Sequence, residues 1–225
     1  MIERLWELHN VALLPQDHVD YLWKLKSNGT DPKVIYDIGA CVLHWTNRAK
    51  EVWPSSKYYL FEAMNEVAEI YDYHGHEYEL GAFSDVSGKE IDFFQNTYHP
   101  GGNSYYRENP QFSNGASVLF TDDHKVKKIT KSIDEVVEAR GFMLPDLIKI
   151  DVQGCELDIM KGMKKCLDNA TDLIVEMQRV EYNKGAPLVS ETMQYIIEQG
   201  FELVGNRFSN SRPEAPDSDY HFTRR

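Results

Sequence analysis

No stretch of this chain is apolar over the roughly 18 residues that a membrane-spanning helix needs, so no span is expected. Positive charge is scarce. The 24 Lys and Arg stand against 36 Asp and Glu, a formal net charge of -12. A free-standing nucleic-acid binder carries a positive field that draws in phosphates, so nucleic acid is not an expected partner. Cysteine is scarce as well. Cys41, Cys155 and Cys166 are too few and too odd in number for a disulfide scaffold. The segment Met1 to Glu7 is charged throughout and lacks the apolar core of a signal peptide, which makes a reduced, cytoplasmic setting the expectation. No internal repeat or low-complexity tract is visible. What is present is a chain of 225 residues, 42% hydrophobic and 27% charged. That suffices for one substantial core and is tight for two.

Strand-like and helix-like segments alternate, which predicts helices packed on a mostly parallel sheet: a three-layer α/β domain. Residues 1–30 read as a helical lead-in, with a second helix over Asp17 to Asn28 stopped by Gly29. Residues 31–225 read as the main domain. Its strands are expected at Val34–Ile38, Lys57–Phe61, Glu77–Ala82, Leu147–Asp151 and Leu173–Glu176, closing with Phe201–Phe208 and Asp219–Thr223. Between them lie helices with apolar stripes at Trp45/Ala49/Val52, Val67/Ile70/Tyr71, Ile133/Val136/Val137, Ile159/Met160/Met163/Leu167 and Met193/Ile196/Ile197. Asn65, Ser132 and Ser190 are the expected caps. The alternation breaks over about 89–120. Two strands, Lys89–Phe94 and Ala116–Phe120, flank the polar loop Gln95–Gly115, longer than an ordinary connection and of the kind that forms lids.

In open α/β sheets ligands sit beyond the carboxyl ends of the strands, where strand order reverses. The polar residues there are Asp37, Glu62, Asp85, Asp151, Gln153 and Glu176, and carboxylates ending apolar strands need hydrogen-bonding partners. Gly39 allows a tight turn after the first strand. Glu62 follows Asp37 by 25 positions, close to the offset at which an acid receives ribose hydroxyls, so the pair points to an adenosine-containing ligand. The same turn also fits a plain strand-to-helix connection with a capping carboxylate. Cys41 and Leu43 stand where glycines would complete a G-x-G-x-G run, which argues against a pyrophosphate cradle and favours a nucleoside without phosphates.

Asp37-Ile38-Gly39-Ala40, then Lys149-Ile150-Asp151-Val152-Gln153-Gly154-Cys155-Glu156-Leu157 and Lys161-Gly162, resemble the FkbM family of S-adenosylmethionine-dependent methyltransferases. Ile129 to Asp134, Ile174-Val175-Glu176 and Tyr220-His221-Phe222-Thr223 fit the same family. The resemblance runs from about Val34 onward and is most specific at the lysine-to-glycine phrase. It implies a class I methyltransferase (Rossmann-like) three-layer sandwich, whose sheet has seven strands with the last antiparallel. It also implies S-adenosyl-L-methionine as cofactor. On this resemblance the cofactor contacts fall on Asp37, Gly39, Ala40, Cys41, Glu62, Ala63, Asp85, Asp151 and Gln153. The departures at Cys41 and Leu43 bear on cofactor affinity. The implied acceptor is a hydroxyl of a sugar, glycan or small natural product. The alternative is a binding or interaction protein that keeps the fold with little or no methyl transfer.

Methyl transfer is mainly a matter of alignment, helped by a base that takes the acceptor proton. Asp151 is the first candidate base, with His44 and His99 behind it. The loop residues Asn103, Ser104, Tyr105 and Arg107 suit a polyol, and Gly101-Gly102 would let that loop fold over it. Lys149 and Glu176 are the remaining acceptor-side candidates; Lys149 shares a strand face with Asp151. Cys41, His44 and Cys155 lack a clear fourth ligand, so no metal is expected. Trp6 and Trp23 fit a sheet-edge cover or a homodimer contact.

Overall fold

The computed structural model describes residues 2–11, 13–112, 115–205 and 215–224. Helices α1 (Ile2–Val11) and α2 (Gln16–Ser27) lead into β1 (Val34–Ile38), which is buried at every residue. Then come α3 (His44–Val52), β2 (Lys57–Glu62), α4 (Ala68–Tyr73) and β3 (Glu77–Leu80). Beyond Gly81 the chain leaves the main sheet as β4 (Ala82–Phe83) and continues through β5 (Glu90–Phe94) and β6 (Lys125–Lys131). It re-enters through α5 (Ile133–Arg140), β7 (Leu147–Ile150), α6 (Glu156–Lys161), α7 (Lys164–Asn169) and β8 (Asp172–Gln178). It ends with α8 (Val189–Glu198), β9 (Glu202–Gly205) and β10 (Asp217–Thr223).

The main sheet has seven strands in the order β3-β2-β1-β7-β8-β10-β9, and β4, β6 and β5 form a smaller sheet beside it. β10 runs antiparallel to both of its neighbours, while the β1, β2, β3, β7 and β8 pairings are parallel. Strand order therefore reverses between β1 and β7, and that crevice is where this class of sheet binds ligands. The sheet is the seven-stranded, mostly parallel one expected, with its last strand antiparallel.

Side-chain alternation gives the sheet two apolar faces. Tyr36, Ile38, Phe61, Ile148, Ile150 and Val175 meet residues of α5 to α8, such as Val137, Ile159, Leu167 and Ile196. Ile35, Leu60, Leu147 and Ile174 meet Leu5, Leu22, Trp45 and Ile70 from α1 to α4. Among the described residues, no helix is long and apolar enough to cross a membrane.

The excursion differs from the sequence expectation. Ala116–Leu119 is a 3-10 turn entered through Gly115, not a strand, and it leaves Val118 67% exposed while burying Phe120. The strand that pairs with β5 is β6, unforeseen because its four lysines hide the pattern. Across the pair, Lys127 lies 2.7 Å and Lys125 3.1 Å from Asp92, so opposite charges set the register. The expected helix over Ile159 to Leu167 is broken into α6 and α7 at Gly162. A side chain there would collide with the Ser84 carbonyl, so glycine lets the β4 turn pass close. Ser132 does precede α5, but its hydroxyl donates to the Gly162 carbonyl (2.8 Å) rather than to its own helix. Ser190 lies inside α8, which starts one residue earlier. The expected last-but-one strand ran to Phe208; residues 206–208 lie outside the described residues.

Candidate active site

A cavity of about 340 Å³ opens at the carboxyl ends of β1, β2 and β7. Its floor is the first part of the loop Gly39 to Leu43, at Gly39, Ala40 and Cys41. Gly39 has φ 81°, and a side chain on it would collide with the Asp151 carbonyl, so only glycine lets β1 and β7 run into the loop side by side. Cys41 and Leu43 adopt φ 46° and 72°. Both are thus in the left-handed region that glycine would enter freely and that costs an L-residue about 1–2 kcal/mol. The loop keeps the turn without the two glycines.

Glu62, at the end of β2, faces the same cavity. Its oxygens accept the backbone N–H groups of Cys41 and Met64, each at 2.9 Å. Burial still holds its carboxyl above the usual range, against the pull of those bonds. Ala40, Cys41 and Ala63 line the wall beside it. The Cys41 thiol is pushed far up, by burial first and then by Glu62, so it is a neutral group and no nucleophile. Cys155 is raised to about 12, chiefly by burial, and lies 3.3 Å from the Ser104 hydroxyl.

Asp37 does not touch the cavity. It is fully buried beneath the loop, accepting the Thr46 hydroxyl. Its register partner on β7 is Lys149, whose ammonium lies 3.1 Å from Asp37, 3.4 Å from Asp151 and 3.3 Å from the Gly39 carbonyl. Burial works against that charge, yet Asp151 and Asp37 outweigh it and hold the amine above its usual range. Lys149 reaches the cavity wall, but its charge is already matched within the protein.

Asp151 and Gln153 line the cavity just beyond the end of β7. The Asp151 side chain is 40% exposed. Gln153 has φ 55°, which turns its amide to donate to Glu176 at 3.0 Å. Glu176 stands behind the wall, not in it. Burial, then Asp151, Asp217 and Asp219, push its carboxyl well above the usual range, and Asp217 is raised to about 6 by burial and by Asp151 and Asp219. His44 lines the cavity with a buried Nε2 that has no hydrogen-bond partner, and burial lowers its pKa, leaving a neutral imidazole. No three His, Cys, Asp or Glu among the described residues converge to hold a metal.

The excursion loop supplies His99, Asn103 and Tyr105 to the wall. Tyr105 donates to Asp158 at 3.0 Å, and Asn103 accepts the Asn96 N–H at 2.7 Å. Besides Asp37 and Glu176, three more expected site residues lie outside the wall. Ser104 is buried as a structural link, its hydroxyl donating to the Gln153 carbonyl at 2.8 Å. Arg107 points outward, 3.7 Å from Asp122 and over the Phe94 ring. Asp85 is exposed, two residues past the end of β4, and it is Phe83 that enters the cavity. The sequence reading missed the apolar part of the wall: Leu8, Leu13, Leu14 and Pro15 from the lead-in, Trp45 from α3, and Phe93 and Pro100 from the excursion. Their stripes looked like ordinary core, and nothing local marks which apolar side chains a cavity will expose.

This strand order, with a glycine turn after β1, an acid ending β2 and a ligand-sized cavity between β1 and β7, defines a class I methyltransferase. A family model for the methyltransferase FkbM domain matches residues 37–203. The chain belongs to the FkbM family of S-adenosylmethionine-dependent methyltransferases. The hexuronic acid methyltransferase AglP of Haloferax volcanii is 34% identical over 76 residues, which are 34% of this chain. The chain thus matches about a third (31%) of the length of that curated relative. A Klebsiella pneumoniae structure assigned as an O-methyltransferase shares the fold, with a TM-score of 0.51 at 11% identity over 100% of this chain and 90% of that one.

Proposed function

We propose that the protein transfers a methyl group from S-adenosylmethionine to a hydroxyl of a sugar, glycan or small natural product. The observation that carries this reading is the convergence of Glu62, the Gly39–Leu43 loop and Asp151 on one cavity. Glu62 would hold the ribose hydroxyls, since a buried carboxylate with oxygens already oriented by two N–H groups is a preset acceptor. The loop from Gly39 to Cys41 would hold the amino-acid end, and Phe83 and Ala63 would flank the base. When bound, S-adenosylmethionine supplies a methyl carbon activated by a sulfonium, which departs as a neutral thioether.

Asp151 is then the base. Its carboxylate is open to the cavity, and Lys149 and the β7 strand fix its position. It takes the proton of the acceptor hydroxyl as the oxygen is methylated. The neutral imidazole of His44, with its unpartnered Nε2, is the second group able to take that proton. The relative from Haloferax volcanii is named for hexuronic acids. Here a hydroxyl acceptor suits the charges better than a carboxylate. Lys149 is the one Lys or Arg among the described residues of the wall, and Asp37 and Asp151 already neutralise it. Glu176 and Asp217 lie just behind with their carboxyls already pushed up by burial and by neighbouring carboxylates, so the described residues of the wall offer no free cation to an incoming carboxylate.

The test is calorimetric titration with S-adenosylhomocysteine, followed by methyl-transfer assays on neutral sugars and on uronic acids. Micromolar binding is expected, weakened at least tenfold in Glu62→Ala. Asp151→Asn should keep that binding and lose roughly 100-fold or more in kcat. Absence of binding at millimolar ligand overturns the enzyme reading, and turnover confined to uronic acids overturns the choice of acceptor.

A further inference from the structure

Every carbonyl of the Gly39–Leu43 loop has a donor. Ala40 and Leu43 receive backbone N–H groups, from Leu43 and Asn47. The other three depend on side chains from distant elements. Lys149 reaches the Gly39 carbonyl, the Tyr71 hydroxyl donates to Cys41 at 2.7 Å, and His9 Nδ1 meets Val42 at 2.8 Å. A carbonyl demands the proton on His9 Nδ1. The other ring nitrogen lies 2.9 Å from His74 Nε2, and in the neutral ring it accepts a hydrogen bond from that nitrogen. Trp6 ties the same helix to α4 through Glu69 at 3.1 Å. Thus α1 and α4 grip the two carbonyls that lie between the left-handed Cα atoms of Cys41 and Leu43.

We propose that His9 and Tyr71 are positioning residues for the cofactor loop, holding Cys41 and Leu43 in the conformation that glycine would adopt unaided. The inference rests on the reading of this loop as the cofactor site. An L-residue with φ near 50° or 70° drifts back to ordinary backbone unless its surroundings over-determine it. Here the determinants are external and hydrogen-bonded, so α1 acts as a working part of the site rather than a leader. His9 lies outside residues 37–203, the span the family model covers.

The test compares His9→Ala and Tyr71→Phe, alone and with Cys41→Gly, by S-adenosylhomocysteine calorimetry and by amide exchange of the ligand-free loop. Each single variant should weaken binding about 3- to 10-fold, the worth of one hydrogen bond, and speed exchange over residues 41–44 by a similar factor. His9→Asn is the rescue. Its amide nitrogen sits where Nδ1 does and should return both readouts to within about twofold of wild type. With glycine at position 41 the brace has less strain to resist, and the penalty of Tyr71→Phe should fall below about twofold. Unchanged binding and exchange in both single variants overturn the proposal. So does an undiminished penalty in the Cys41→Gly background, which would make the bonds ordinary structure. If wild type binds no S-adenosylhomocysteine, the function proposed above fails, while the exchange rates alone still decide the brace.

Discussion

Replacing Lys149 with methionine removes the buried cation that joins β1 to β7. Methionine keeps much of the length and the apolar stem, so the packing change is small and the electrical change dominates. Asp37 is 0% exposed and Lys149 4%, so water cannot replace the lost partner. Breaking such a pair from one side costs roughly 3–5 kcal/mol, because a charge is left buried and uncompensated. For a chain of this length each kcal/mol lowers the melting temperature by roughly 2–4 °C, so the expected drop is about 6–20 °C. Adding Asp37→Asn removes the orphaned charge and should recover more than half of the loss, a strong departure from additivity. Urea unfolding followed by tryptophan fluorescence measures both. A loss under about 1 kcal/mol or additivity in the double variant would refute the argument that the ammonium compensates Asp37.

Two further outcomes follow from the geometry. Gly39→Ala places a methyl group against the Asp151 carbonyl at a left-handed φ, so it should destabilise the fold by roughly 1–3 kcal/mol and abolish S-adenosylhomocysteine binding; affinity within twofold of wild type would contradict the close crossing of β1 and β7. Glu108 is 2% exposed with an unpartnered Oε2, and burial raises its carboxyl from 4.5 to about 7. Its stabilising contribution is therefore full below about 4.5 and lost as pH rises through about 7, so Glu108→Gln should gain roughly 2–3 kcal/mol at about pH 8 and nothing near pH 4.5; parallel pH profiles for the two proteins would refute it.

Much of the scaffold was legible because the main strands are short apolar runs closed by Gly39 or by carboxylates such as Glu62 and Glu176. The strand order came with the resemblance at Lys149 to Glu156, since periodicity alone does not order strands. The excursion was the least legible part. β6 reads as a lysine-rich loop until its partner, β5, supplies Glu90 and Asp92 across the ladder. Of the strand-end residues, Glu62, Asp151 and Gln153 line the cavity while Asp37 and Glu176 stand behind it, and the residues that depend on a distant partner had no local signal. Arg107 and Ser104 have the right chemistry for a polyol, but the direction of a loop side chain is set by contacts such as Asp122 and Gln153. His9 and Tyr71 bond to loop residues 33 and 30 positions away, and no local pattern announces such a pair.

Strand alternation explains why the lead-in becomes part of the site. Asp37 shares a face with Ile35, Glu62 with Leu60, Lys149 and Asp151 with Leu147, and Glu176 with Ile174. Those four apolar residues face α1 to α4, not α5 to α8. The polar ends of the strands therefore rise on the same side, and the cavity they form must be closed by whatever covers that face. His44 and Trp45 at the start of α3 form part of that cover, and the lead-in adds Leu8, Leu13, Leu14 and Pro15. A wall for this cavity is thus a consequence of strand parity, and the identity of that wall follows from which helices the second face recruits. A chain trimmed to the strand β1 would keep Asp37, Glu62 and Asp151 but lose that wall and the donor to Val42.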